Sequence, residues 1–188
     1  MTVPTDLDHR FRSAAAAAGL LDVAYDVADS PIGPLLVAAN ERGLCRIGFD
    51  GDPERDVESL ARAFGVRVLR VPRKLDAVRR QLEEYFAGRR QAFELRLDIR
   101  GVPEFNRRAL EELARVPFGH VTTYGQLAER IGRPRSARAI GGAMNRNPIP
   151  IVLPCHRVVG SNGSLTGYGG GLHRKQALLE LEGVSLPV

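Results

Sequence analysis

No tryptophan occurs in the chain, so any stacking surface must come from four tyrosines and seven phenylalanines. Cysteine is almost as scarce, with only Cys45 and Cys155. There is no CxxC pair and no Cys/His cluster, so neither a zinc site nor a disulfide framework is suggested. The sequence leaves a Cys45–Cys155 bridge open, and a reducing cytosol disfavours it. His9, His120, His156 and His173 are scattered. No apolar run approaches the roughly 18 residues of a membrane span, and no internal repeat is visible. Near the N-terminus, Arg10 and Arg12 precede "AAAAAGLL" in the manner of a weak signal peptide. Asp6 and Asp8 lie upstream and Asp22 interrupts the run, so residues 1–20 are read as a helix or loose leader and the protein as cytoplasmic. "NGS" at 162–164 is read as a turn.

What remains is the composition of an ordinary globular chain, 44% apolar and 26% charged. Its net charge of +5 is unevenly placed. Residues 1–100 carry 16 basic and 16 acidic side chains, and residues 101–188 carry 11 and 6. "RPRSARAIGGAMNR" at 133–146 holds four arginines and no acid. Such a stripe is either a solvated helix face or the footprint of a nucleic-acid binder.

The pattern predicts an α+β protein. Residues 21–100 read as a small α/β domain. "LDVAYDVADSPIGPLLVAANERGLCRIGFDG" alternates strand formers with turns at Ser30–Pro34 and Asn40–Gly43, a β-meander with Cys45 on its third strand. A helix over 53–64 and a strand over 66–71 follow. A helix over 73–87 follows next, ended by Gly88. The alternation of Phe93, Leu95, Leu97 and Ile99 predicts another strand. Gly101-Val102-Pro103 is a linker, and residues 104–188 read as a mainly helical domain. A helix over 104–115 is followed by "YGQLAERIG", capped by Thr123, then by "ARAIGGAMNRN", capped by Ser136. Helix, glycine-containing turn, helix is the helix-turn-helix pattern, although any αα-hairpin shares its punctuation. Gly141-Gly142 weakens the second helix and points to close approach by a neighbouring backbone or a nucleic acid.

"LPCHRVVG" at 153–160 carries the chemistry. A lone cysteine is most often inert core. Here Pro154 stiffens the backbone beside Cys155, while His156 and Arg157 are polar groups that an apolar core would have to satisfy. Positive neighbours favour the nucleophilic thiolate. A nucleophile needs a base, and the base needs an orienting group. If Ile151–Leu153 and the following residues are extended, Cys155 and His156 point apart, and contact needs a turn or a bridging water. The acid to hold the histidine is either Glu180 or Glu182 of "GLHRKQALLELEG", and spacing does not choose between them. The intervening "SNGSLTGYGGG" has five glycines and lets a backbone lie close to a planar ligand; it lacks the GK[ST] of a phosphate loop.

Across roughly residues 22–183 the chain resembles the O6-alkylguanine-DNA alkyltransferases. The resemblance rests on "PCHRV", on "VPFGHVTTYGQLAERIG…SARAIGGAMNRNP" and on "SPIGPLLVAANERGLCRIGF". It implies a suicidal, stoichiometric methyltransferase that flips a damaged guanine out of duplex DNA. The alkyl group moves from O6 to Cys155, with O4 of thymine as an open extension. By the same resemblance His156 deprotonates Cys155 through a water, and Glu182 holds His156. Tyr124 rotates the nucleotide and bonds the base. Asn147 is the hinge between the recognition helix and the active-site strand. Arg138 fills the gap left by the flipped base, with Arg133, Arg135, Ala137 and Gly141 also facing DNA. Tyr168, Gly169, Gly170 and Val158 wall the guanine pocket. No cofactor and no metal are implied, and the partner is double-stranded DNA bearing O6-alkylguanine, approached by a monomer with cooperative binding left open. Departures are Gly169, where some relatives have serine, and the missing tryptophan of helix 104–115, near Ala109. The zinc site of some relatives has no counterpart either.

The competing readings are a lesion-binding alkyltransferase-like protein that transfers nothing, a cysteine hydrolase with turnover, and a helix-turn-helix regulator. The first has another residue in place of the cysteine. The second needs an oxyanion hole that no motif supplies. The third needs a sensor or dimerisation segment, and none is evident.

Overall fold

The computed structural model describes residues 10, 14–15, 18–50 and 53–185. The leader assigned to residues 1–20 lies, except for those few positions, outside the described residues. The described chain forms two compact units: one reaches Leu82 and reclaims Leu95–Asp98, and the other comprises Glu83–Glu94 and residues from Ile99 onward.

The first unit is built on the meander. Strands β1 (Val23–Ala28), β2 (Leu35–Asn40) and β3 (Gly43–Phe49) pair antiparallel. β4 (Val68–Arg70) pairs parallel to β1, giving the order β3-β2-β1-β4. The Asn40 side chain makes the second turn by accepting from the N–H groups of Arg42 and Gly43. Both faces of the sheet are covered. Val23, Leu36, Ala38, Cys45, Leu60 and Val68 form one buried cluster, with Val57, Ala61 and Phe64 of helix α1 (Pro53–Phe64) packed against it. Leu35 and Val37, which point the other way, are also fully buried. This explains why β2 reads as a continuous apolar run. The helix expected over 73–87 begins as a 3₁₀ turn, Pro72–Leu75, packed on β1 and β2, and continues as α2 (Asp76–Phe86).

The strand expected over Phe93–Ile99 does not form. Only Leu97 bridges to Leu44, through Leu44 N–H to Arg96 O and Asp98 N–H to Leu44 O, each 2.8 Å. The segment is divided: Phe93 and Glu94 belong to the second unit and Leu95–Asp98 to the first. Its alternation therefore does not serve one sheet face. The single contact requires Gly43, at φ +146°, because a Cβ there would lie 2.2 Å from Arg96 O.

In the second unit, α3 (Glu104–Leu113), α4 (Tyr124–Arg130) and α5 (Ala137–Asn145) pack on one another. Ala109, Leu110, Leu113, Leu127, Ala128, Ile140 and Ala143 are fully buried there. Thr123 caps α4 as expected, in a complete capping box with Gln126. Ser136 occupies the N-cap of α5, but its side chain makes no capping hydrogen bond, which corrects that assignment in part. Its backbone is at φ −104°, ψ 20°, outside the extended region that aims a cap side chain at the helix N–H groups. β5 (Thr122–Thr123) pairs parallel with β6 (Val158–Val159), and α6 (Leu172–Leu181) follows the glycine-rich loop. Among the described residues, no helix is long and apolar enough to cross a membrane.

Candidate active site

The segment before the cysteine is a turn, not the expected strand over Ile151–Leu153. Ile151 sits at φ +76°, rare for a β-branched residue, and reverses the chain between Pro150 and Leu153. Pro154, at φ −82° and ψ 64°, centres an inverse γ-turn closed by Cys155 N–H to Leu153 O at 2.8 Å. A 3₁₀ turn, Cys155–Arg157, follows at once. Proline's fixed φ suits this geometry. The chain turns on both sides of the cysteine, so Cys155 and His156 are not held on opposite faces of a strand.

Asn147, just past α5, fastens the turn. Its Oδ1 accepts from Ile149 N–H at 3.0 Å, and its Nδ2 donates to Leu153 O at 2.7 Å and to Cys155 Sγ at 3.2 Å. Burial pushes the Cys155 thiol up to about 11, against the Asn147 hydrogen bond and the charge of Lys175. At neutral pH the resting group is a thiol, so nucleophilic attack requires a base.

His156 is fully buried. Burial disfavours its protonated form and lowers its pKa despite the adjacent carboxylate, so the ring is neutral at pH 7. Its Nε2 lies 2.8 Å from Glu182 Oε1. Burial raises the Glu182 pKa, but hydrogen bonds and charges from His156 and Arg157 outweigh it and hold the carboxyl down to about 2. A carboxylate only accepts, so Nε2 carries the proton and Nδ1 is the basic nitrogen. Nδ1 is buried and has no hydrogen-bond partner among the described residues.

Glu182 closes α6 at its C-cap and is the acid that the structure selects; Glu180 is exposed and bonds Gln176. Arg157 grips Glu182 side-on, Nε to Oε2 and Nη2 to Oε1, both 2.8 Å, and donates to Val116 O at 2.6 Å. Gly119 N–H reaches Oε2 at 3.3 Å, and the Tyr85 hydroxyl donates to Oε1 at 2.7 Å. All belong to the second unit.

Lys175 was not anticipated. It is fully buried on α6, its Nζ donating to Val158 O at 2.6 Å and Thr166 O at 3.0 Å. Burial lowers its pKa to about 8. The signal was present: Lys175 stands three and four residues before Leu178 and Leu179, on the apolar stripe of α6. Thr166 is held from a second direction, since its Oγ1 lies 3.0 Å from the Tyr124 hydroxyl. Lys175 and Tyr124 thus pin the glycine-rich loop. Tyr168 is partly buried, and burial, then the nearness of Cys155, push its hydroxyl pKa well up. Val158 and Gly170 are buried, while Gly169 is exposed with room at its Cβ position, 3.7 Å from Asn145 O.

Arg133, Arg135 and Arg138 are exposed and have no ion-pair partner among the described residues. Ala137 opens α5 beside Arg138. Gly141 faces the Tyr124 ring, with 3.8 Å available at a Cβ position, and Gly142 faces the Arg146 guanidinium at 3.1 Å. Neither glycine is required by a neighbouring backbone. Among the described residues, no cluster of His, Cys, Asp or Glu suits a metal ion.

Comparison with known proteins also divides the chain in two, but with the break near residue 100, so that Glu83–Glu94 fall in the first match and in the second unit. Residues 23–99 match the family described as 6-O-methylguanine DNA methyltransferase, ribonuclease-like domain, and residues 104–184 match the DNA binding domain of the same name. A methylated-DNA--protein-cysteine methyltransferase of Methanosarcina barkeri is 43% identical over 158 residues, covering 84% of this chain and 96% of the relative. One of Mycolicibacterium paratuberculosis is 44% identical over 160 residues, covering 85% and 92%. The crystal structure of Mycobacterium tuberculosis OGT in complex with DNA is similar with a TM-score of 0.75 and 41% identity, covering 85% of this chain and 92% of that one. With both halves of the sequence matched and its relatives covered almost end to end, the chain belongs to the 6-O-methylguanine DNA methyltransferase family.

Proposed function

We propose that the protein repairs O6-alkylguanine in duplex DNA by moving the alkyl group to Cys155, once per molecule. One observation carries the reading. A buried cysteine lies beside a buried neutral histidine whose Nε2–H is committed to a carboxylate, leaving Nδ1 as a base with no partner among the described residues. That arrangement suits a proton relay from a thiol through one water to imidazole. His156 takes the Cys155 proton on Nδ1, and Glu182 and Arg157 hold the resulting imidazolium in place. The thiolate sulfur attacks the alkyl carbon, the bond from that carbon to O6 breaks, and guanine departs, taking up one proton to restore its N1–H. Nothing at the site hydrolyses the thioether.

The O6 atom is inaccessible within a stacked duplex, so the nucleotide must swing out at a cost of a few kcal/mol. In this reading Arg138 on α5 occupies the vacated stack, and Arg133 and Arg135 meet phosphates. Tyr124 rotates the nucleotide and bonds the base in the same reading, and Tyr168, Val158, Gly169 and Gly170 receive it. Degenerate minor-groove contact through α5 suits damage that arises in any sequence.

The test is incubation with duplex DNA carrying labelled O6-methylguanine. Label should reach one equivalent per protein and map to Cys155. Cys155→Ser should bind the duplex and take up none. Label on Cys45, or more than one equivalent, would overturn the reading.

A further inference from the structure

Glu182 Oε1 receives three donors, His156 Nε2, Arg157 Nη2 and the Tyr85 hydroxyl, at 2.8, 2.8 and 2.7 Å. The first two come from the active-site turn. Tyr85 comes from the end of α2, 97 residues from Glu182 in sequence. Its ring packs in an aromatic cluster with Phe86, Phe93 and Phe118, at centroid distances of 5.3, 5.3 and 6.1 Å. A core role accounts for the ring. It does not account for a hydroxyl aimed at the very carboxylate oxygen that holds the histidine, since a buried phenol is equally satisfied by a backbone carbonyl.

We infer that Tyr85 is a positioning residue of the alkyl-transfer site: by donating to Glu182 Oε1 it fixes that oxygen toward His156 and limits the negative charge it presents, so setting the basicity of the imidazole. The inference rests on the relay proposed above. An acceptor whose charge is shared among several donors stabilises a neighbouring imidazolium less. The donor must also be constant, and it is. Burial, followed by the charge of Glu182, raises the Tyr85 pKa far above neutrality, so the hydroxyl keeps its proton throughout the working range. The other groups that act on His156 or Glu182 are Arg157 on the same turn and Lys175 on α6, both cationic, and the Gly119 N–H, which donates to Oε2. Cys155, with Tyr168 beyond it, completes the surroundings. Tyr85 is the neutral donor on Oε1, the oxygen that meets His156, and it tunes that oxygen without adding charge.

The experiment compares single-turnover transfer from labelled O6-methylguanine duplex between pH 5.5 and 9 in wild type, Tyr85→Phe, Glu182→Gln and Phe93→Leu, with each melting temperature measured. Tyr85→Phe keeps the ring and removes one donor, so His156 should hold its proton more tightly. The acidic limb should move to higher pH by about half a unit, a loss of rate that rises toward about three-fold at the acid end of the range. Phe93→Leu, which loosens the aromatic cluster but touches no carboxylate, should lower the melting temperature and leave the limb in place. A Tyr85→Phe profile superimposable on wild type, beside an altered Glu182→Gln profile, overturns the role of Tyr85 alone. Unaltered profiles in both variants overturn the relay, and the inference with it. A Tyr85→Phe protein that fails to fold while Phe93→Leu folds assigns the hydroxyl to the fold and also overturns the inference.

Discussion

Two buried cysteines share one chain, and their surroundings separate them. Burial pushes Cys45 up to about 12, and its Sγ–H donates to Ala38 O within the sheet. Cys155 is also pushed up, to about 11, but Asn147, Lys175 and the His156–Glu182 pair stand around it. Reactivity therefore comes from neighbours and not from a resting thiolate. Glu182 is the neighbour on which the others depend, and removing its charge leaves buried Arg157 without a counterion. Glu182→Gln should cost about 3–5 kcal/mol of stability at pH 7 and slow alkyl transfer. The sign of its pH dependence follows from the carboxyl being held down to about 2, below its ordinary 4.5. The contribution of the carboxylate is complete above about 4.5 and is lost as pH falls toward 2. Denaturation curves should therefore show the gap between wild type and Glu182→Gln narrowing from pH 5 downward. A gap that stays constant would mean that the loss comes from packing.

At the scale of elements, the two helix starts in the basic region make a controlled pair. Thr123 accepts from Gln126 N–H, and the Gln126 side chain returns to Thr123 N–H at 2.9 Å. Ser136 makes no such bond. Thr123→Ala should cost about 1 kcal/mol, whereas Ser136→Ala should change stability by less than about 0.5 kcal/mol. Chemical denaturation measures both, and equal losses would show that Ser136 caps α5 after all. The contrast marks what the sequence could show. A threonine followed three residues later by glutamine is a local signal and was readable, as were the turns of the meander. Alternation from Phe93 to Ile99 was also local, yet the segment is divided between two units and Gly43 admits it at one point only. The turn through Ile151 and Pro154 was hidden because a short apolar run before a cysteine looks the same extended or bent. Tyr85 and Lys175 both lay on apolar stripes. Their polar ends meet Glu182 and Thr166, partners whose positions are set by tertiary folding.

Across the whole molecule, the excess positive charge belongs to residues 101–188, and on the turn into α5 it stands unpaired. Arg133, Arg135 and Arg138 are exposed there without carboxylate partners among the described residues, whereas Arg67, Arg70 and Arg79 of the first unit are tied to Asp22 and Asp26. Unpaired charge is available to phosphates, and each contact made should release counterions and steepen the salt dependence of binding by about 0.9 in log–log slope. Arg133→Ala and Arg135→Ala should each lower that slope by about one such step and weaken binding alike for damaged and undamaged duplex. Arg138 is expected to differ, because filling a vacated stack matters only when there is a stack. In duplex DNA the extruded nucleotide is disfavoured by a few kcal/mol, and a side chain in the gap offsets part of that. Free O6-alkylguanine base has nothing to leave. Arg138→Ala should therefore slow transfer from duplex by about ten-fold or more, an offset of roughly 1.4 kcal/mol, while the slow reaction with free base stays near the wild-type rate. Single-turnover rates on the two substrates decide it. Equal losses on both would place Arg138 in support of the fold or the pocket and leave base extrusion to other residues.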